Sequence, residues 1–204
     1  PEYVDGLPNI SGSESTLDTV LAKRPASVFK DSSPIQFQQI KSAAAVALHM
    51  HQPLGNLVAL HNSGESWETR QILWCYDRVT RMLDPYWDVA RLHMSFSGTL
   101  LKQLEDPGVR ETFREMVNIE DFMHRYRCSN IEFVGSGLFH PVYPLTPEAD
   151  WDAQTDWWKG LGRHLLGRES FDGFWPPEMG FCMEMIPMLA RHGFKYVLVD
   201  SIYI

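Results

Sequence analysis

The feature that most constrains this chain is an alternation. Five short strand-like runs, at residues 43–48, 90–96, 131–135, 173–175 and 196–199, are separated by stretches of helical periodicity. The first, Ala43-Ala44-Ala45-Val46-Ala47-Leu48, contains no polar residue, as expected of a strand buried on both faces. After it, Ile72, Leu73, Tyr76, Val79, Thr80 and Leu83 recur at helical spacing and predict a helix near residues 69–82. Residues 98–128 predict one helix or two, broken around Asp106-Pro107-Gly108. Residues 152–166 and 182–191 predict two more, with Gly193 closing the last. Strand followed by helix, repeated in this way, predicts a parallel sheet covered by helices.

Such a sheet is either open and doubly wound or closed toward a barrel. Neither GxGxxG nor GxxxxGK[ST] follows the first run, which weakens the nucleotide-binding version. No short repeat marks a solenoid. Residues 1–40 differ in texture: Gly6, Pro8, Gly12, Pro25 and Ser32-Ser33-Pro34 interrupt any pattern, and only residues 17–22 predict a short helix. They read as an irregular N-terminal extension, draped over the main domain or partly mobile, with residues 41–204 forming the domain proper.

Composition removes several function classes. With 18 Lys and Arg against 26 Asp and Glu, the net charge is −8, and no basic cluster offers a nucleic-acid footprint. A neutral ligand suits this surface. Three scattered cysteines, Cys75, Cys128 and Cys182, lack zinc-ribbon spacing and read as small buried thiols in a reducing compartment. No apolar run reaches the roughly 20 residues that span a bilayer, and the N-terminus lacks a signal-peptide pattern, so the expected setting is cytoplasmic with no membrane contact. No cofactor is expected, and the oligomeric state is left open.

Chemistry-bearing residues fall just after the strand-like runs, where β/α barrels build their active sites. His49-Met50-His51-Gln52-Pro53 follows the first, and the alternation of His49 and His51 turns both to one side of an extended segment. Such a pair can bind zinc, donate to sugar hydroxyls, or serve structure alone. His140 lies in a loop stiffened by Pro141 and Pro144, where either the imidazole or the turn itself is the point. Glu178 follows Trp175-Pro176-Pro177, so the backbone before the carboxylate is fixed, as a nucleophile requires. Glu178 also suits the N-terminus of a helix starting near Phe181. Asp200 ends the fifth run, as a cleft carboxylate or a turn aspartate.

With these segments assembled, the chain resembles glycoside hydrolase family 57, which contains α-amylases, 4-α-glucanotransferases and glucan branching enzymes. Three segments carry the likeness in order: His49 to Leu54, Gly135 to Leu145, and Phe174 to Phe181, with residues 193–200 resembling the segment that follows. The resemblance implies an α/β fold, an incomplete (β/α)7-type barrel with parallel strands. It implies a retaining mechanism on an α-glucan or oligosaccharide, with Glu178 as nucleophile and His49, His51, Gln52, His140, Trp175 and Asp200 at the substrate. The family's general acid/base is an aspartate on a later strand. Only 26 residues follow Glu178, so that aspartate is expected beyond this chain, and the 204 residues alone are expected to be inactive. Two other classes are weighed. A metal-dependent polysaccharide deacetylase would use His49, His51 and His140 as ligands but needs an Asp-Asp pair and a second spaced histidine, neither visible here. A non-catalytic glycan-binding barrel would have lost its acid.

Overall fold

The computed structural model describes residues 2–4, 7–9, 41–42, 45–86 and 90–200. The chain divides into two compact units, Pro1–Ala43 and Ala44–Ile204. In the first, β1 (Glu2–Val4) pairs antiparallel with β2 (Leu7–Asn9), with Val4 in register with Leu7. No strand was expected in this irregular segment. The helix expected over residues 17–22 lies outside the described residues.

The second unit is a mixed α/β body with parallel strands, the arrangement of a partial β/α barrel. Strands β3 (Ala47–Met50), β4 (His93–Phe96) and β5 (Glu132–Phe133) form one parallel sheet, and β6 (Gly173–Phe174) pairs parallel with β7 (Tyr196–Val197). A parallel bridge between Gly135 and Phe174 joins the two. There the Gly135 N–H donates to Gly173 O and the Trp175 N–H to Gly135 O, both at 2.8 Å. A side chain at residue 135 would meet the Phe194 ring at 2.6 Å, so this junction needs glycine. All five expected strands are present, but each is short. The first lies later than its apolar run, because Ala47 pairs with His93 and Met50 with Phe96. His49 therefore sits within β3, not after it.

Helices α1 (Asn56–Asn62), α2 (Ser66–Leu83), α3 (Gly98–Glu105), α4 (Pro107–Phe113), α5 (Ile119–Cys128), α6 (Trp151–Leu166) and α7 (Met185–Arg191) connect the strands. Helix α2 buries Thr69, Leu73, Tyr76, Asp77 and Thr80, one face of a 3.6-residue period. The stretch expected to hold one or two helices holds three. Asp106 caps α4 through the Val109 N–H with Pro107 in its first turn, and Asn118 caps α5 through the Asp121 N–H. Helix α7 begins at Met185 rather than near Phe181, and α1 was not anticipated. Phe96, Tyr126, Phe122 and Phe133 pack edge to face between sheet and helices. The buried Trp158 donates its indole N–H to Phe96 O at 2.8 Å, tying α6 to the end of β4. The three thiols are unbridged, and none is fully buried as expected: Cys75 and Cys182 are half-buried and Cys128 is exposed.

Candidate active site

The strands deliver their C-terminal ends to one place. His49, from β3, and His51, just beyond it, point to the same side with rings nearly parallel, 8° apart at a centroid distance of 6.1 Å. His140 reaches them from the loop after β5: its ring centroid is 4.0 Å from His51 and 5.3 Å from His49. Its Nε2 lies 3.1 Å from His49 Nε2. From the end of β6, the Trp175 ring stands 5.3 Å from His49, tilted by 34°. Beyond it, Glu178 Oε1 lies 3.7 Å from His140 Nδ1. The side chain of Glu178 is 70% exposed and that of His140 only 9%, so an open carboxylate stands over a sunken imidazole.

Backbone conformation is unusual at two of these residues. His140 and Glu178 both have φ of 55°, in the left-handed region that non-glycine residues seldom enter. Each such residue costs on the order of 1 kcal/mol or more and persists only where surrounding structure imposes it. Around His140 the restraints are visible. The Leu138 N–H donates to Gln154 O at 3.1 Å, and the Phe139 N–H to Gln154 Oε1 at 3.0 Å. Trp151 Nε1 donates to Tyr143 O at 2.9 Å, and the Tyr143 hydroxyl pairs with Thr155 at 2.9 Å. Around Glu178, Pro176 and Pro177 lead into a single 3-10 turn, Pro177–Met179, and Met179 is left-handed as well. Glu178 is thus not at the start of an α-helix. It is a carboxylate on a tight turn.

The histidines are held neutral. Burial, then the neighbouring His51, pushes His49 down to about 4. Burial, then His51 and His49, pushes His140 down to about 4, against the opposing pull of Glu178. His51 is lowered by burial, which Glu178 partly offsets. One tautomer assignment is consistent with the contacts: His49 Nε2–H donates to His140 Nε2, and His140 Nδ1–H faces Glu178. Four buried polar side-chain atoms among the described residues then lack a hydrogen-bond partner: His49 Nδ1, His51 Nδ1, Ser95 Oγ and Ser136 Oγ. Buried atoms of this kind point to a polar guest.

Gln52 faces other duties. Its Oε1 accepts from Asn56 Nδ2 at 2.6 Å, bracing the entry to α1. Asp200 is exposed three residues beyond β7 and is not in the cluster formed by His49, His51 and His140. Two supporting residues carried no recognisable sequence signal. Buried Gln103 of α3 donates to Pro53 O at 2.9 Å and to Gln52 O at 3.4 Å, and its Oε1 accepts from the Leu57 N–H at 3.4 Å. The Tyr76 hydroxyl donates to His51 O at 3.1 Å. The only hint of the first is a polar residue among Leu100, Leu101 and Leu104.

The family model for glycosyl hydrolase family 57 matches residues 45–203. The chain belongs to that family. Among curated relatives it is similar to alpha-amylase 1 of Dictyoglomus thermophilum, 25% identical over 161 residues, covering 77% of this chain and 21% of the relative. The chain therefore spans about a fifth of the length of that relative. The 4-alpha-glucanotransferase from Thermococcus litoralis superimposes with a TM-score of 0.56 at 25% identity, over 76% of this chain and 22% of that one. The alpha-amylase AmyC from Thermotoga maritima gives 0.55 at 17% identity, over 77% and 39%. The family 57-type branching enzyme from Pyrococcus horikoshii gives 0.54 at 15% identity, over 77% and 41%. The last two likenesses speak for the fold alone. No helix among the described residues is long and apolar enough to cross a membrane.

Proposed function

We propose that this family 57 chain carries the nucleophile half of a retaining active site that cleaves or transfers α-glycosidic bonds in an α-glucan or oligosaccharide. The observation that carries the reading is Glu178, fixed behind two prolines in a left-handed turn, exposed, and facing His140 Nδ1 at 3.7 Å. Its carboxylate attacks the anomeric carbon. The bond to the leaving oxygen breaks as the glycosyl ester forms, and the leaving oxygen takes a proton from a general acid outside residues 45–203. That acid stands about 5 to 5.5 Å from Glu178 in a retaining pair, and as base it then activates water or an acceptor hydroxyl. Neutral His49, His51 and His140 donate to or accept from sugar hydroxyls, and Trp175 offers a flat face to the ring. Unbridged thiols at Cys75, Cys128 and Cys182 fit a reducing, cytoplasmic setting. Residues 1–40 are read as an N-terminal extension to the domain formed by residues 41–204.

The test is Glu178→Gln in the full-length protein. Turnover of malto-oligosaccharides should fall by about 10⁴-fold or more, with circular dichroism and oligosaccharide affinity unchanged. Wild-type turnover in that variant would overturn the assignment. Binding without turnover by the unsubstituted protein would instead support a non-catalytic barrel.

A further inference from the structure

Outside the glycosidic role, the three imidazoles form a set with its own chemistry. The ligand atoms of His49, His51 and His140 all lie within 4.8 Å of one another. We propose that these three histidines bind one zinc-class divalent cation.

The geometry supports this in three ways. Two nitrogens each about 2.0–2.1 Å from a tetrahedral zinc stand about 3.3–3.4 Å apart. His49 Nε2 and His140 Nε2 are already 3.1 Å apart, so a small outward movement admits an ion. His51 supplies a third ring nitrogen within 4.8 Å of the other two, and its buried Nδ1 has no hydrogen-bond partner in the protein. A zinc-bound histidine is usually oriented by a carboxylate at its other ring nitrogen, and His140 Nδ1 faces Glu178 at 3.7 Å. Three neutral imidazoles carry no charge to offset a dication, and Glu178, behind His140, supplies one nearby. Zinc rather than calcium or magnesium follows from an all-nitrogen set, since the latter two take oxygen ligands. The ion would occupy the space that sugar hydroxyls take in the glycosidic reading, so metal and sugar exclude each other there. That consequence rests on the proposed function, whereas metal binding itself does not.

The experiment is titration of the chelator-treated 204-residue chain with zinc chloride, followed by calorimetry and by X-ray absorption at the zinc edge. The expected result is one equivalent bound, with three nitrogen neighbours at about 2.0–2.1 Å. His140→Ala and His49→Asn should each weaken binding by at least about 100-fold, above the 10–100-fold typical for loss of an orienting partner alone. Should either variant unfold, the absorption spectrum of the unsubstituted protein decides alone. A sulfur neighbour would place the metal at Cys128 and His124, whose side chains lie 3.6 Å apart, and would overturn the proposal. So would full affinity in folded His140→Ala, or no saturable binding by the unsubstituted chain. Glu178→Gln turnover leaves this proposal untouched, so the two readings fail separately.

Discussion

Replacing Gln103 by methionine isolates the support beneath the histidine cluster. The side chains have similar length and volume, so packing in the α3 core changes little. What changes is hydrogen bonding at a fully enclosed position, only 3% exposed. Gln103 Nε2 donates to Pro53 O at 2.9 Å, Thr99 O at 3.2 Å and Gln52 O at 3.4 Å. Pro53 O keeps the Asn56 N–H at 3.1 Å, so it loses only a second partner. The Leu57 N–H is in a different position. It lies in the first turn of α1, where no intrahelical acceptor exists, and Gln103 Oε1 is its recorded partner at 3.4 Å. Losing the donated bonds costs about 1 kcal/mol, and stranding that N–H about 1–2 more. The sum is about 2–3 kcal/mol. For a domain of this size it lowers the melting temperature by about 4–12 °C. Residues 52–57 also lose their anchor to α3, and His51 precedes them directly. Differential scanning calorimetry measures the first effect. The histidine ring resonances, followed by NMR, should move for His51 more than for His192, at the C-terminal end of α7. A melting temperature within 1 °C of the unsubstituted chain, taking about 1 °C as the resolution of such a comparison, would refute the assignment of Gln103 as a structural tie.

Two further outcomes follow from the same geometry. Gly98→Ala places a methyl 2.2 Å from Leu138 O and 2.5 Å from Leu138 Cα, both backbone atoms, so the loop holding His140 must shift. It should destabilise by about 2–4 kcal/mol in urea melts and weaken oligosaccharide binding, and an unchanged melt would count against this close approach. Acidification should act through His49 and His140, whose folded values near 4 lie below the unfolded 6.5. The unfolded chain then binds more protons in that window, so this contribution is complete above pH 6.5 and is lost as pH falls toward 4. The full gap is worth about 3 kcal/mol per ring at about 1.36 kcal/mol per pH unit. Solvent screening in the open cleft reduces that to about 1–2 kcal/mol each. In chelator-treated protein the drop in stability from pH 7 to pH 5 should shrink in His140→Asn, and an equal drop in both proteins would contradict the burial argument.

The sequence by itself determined the order of the five main strands and the side of the sheet on which chemistry gathers. The segment Ile131 to Gly135 reads as a strand, and the Gly- and Pro-rich stretch after it cannot continue one. The period-two alternation of His49 and His51 alone placed both rings on one face. Helix breaks were legible where a cap and a proline coincide, as at Asp106-Pro107, and hidden at 114–118, where no proline marks the end. What tertiary structure decided was register and approach. Whether β3 ends at Leu48 or Met50 depends on which residue of β4 stands opposite, and that is a contact between residues far apart in the chain. The left-handed turns at His140 and Glu178 carry no local signature, because neither histidine nor glutamate prefers φ of 55°. Around His140 the loop is held by Gln154 and Trp151 of α6, around Glu178 the turn follows Pro176 and Pro177, and together they bring His140 Nδ1 to Glu178. Gln103 was invisible for the same reason: a glutamine beside leucines reads as surface until the loop it holds is folded against it.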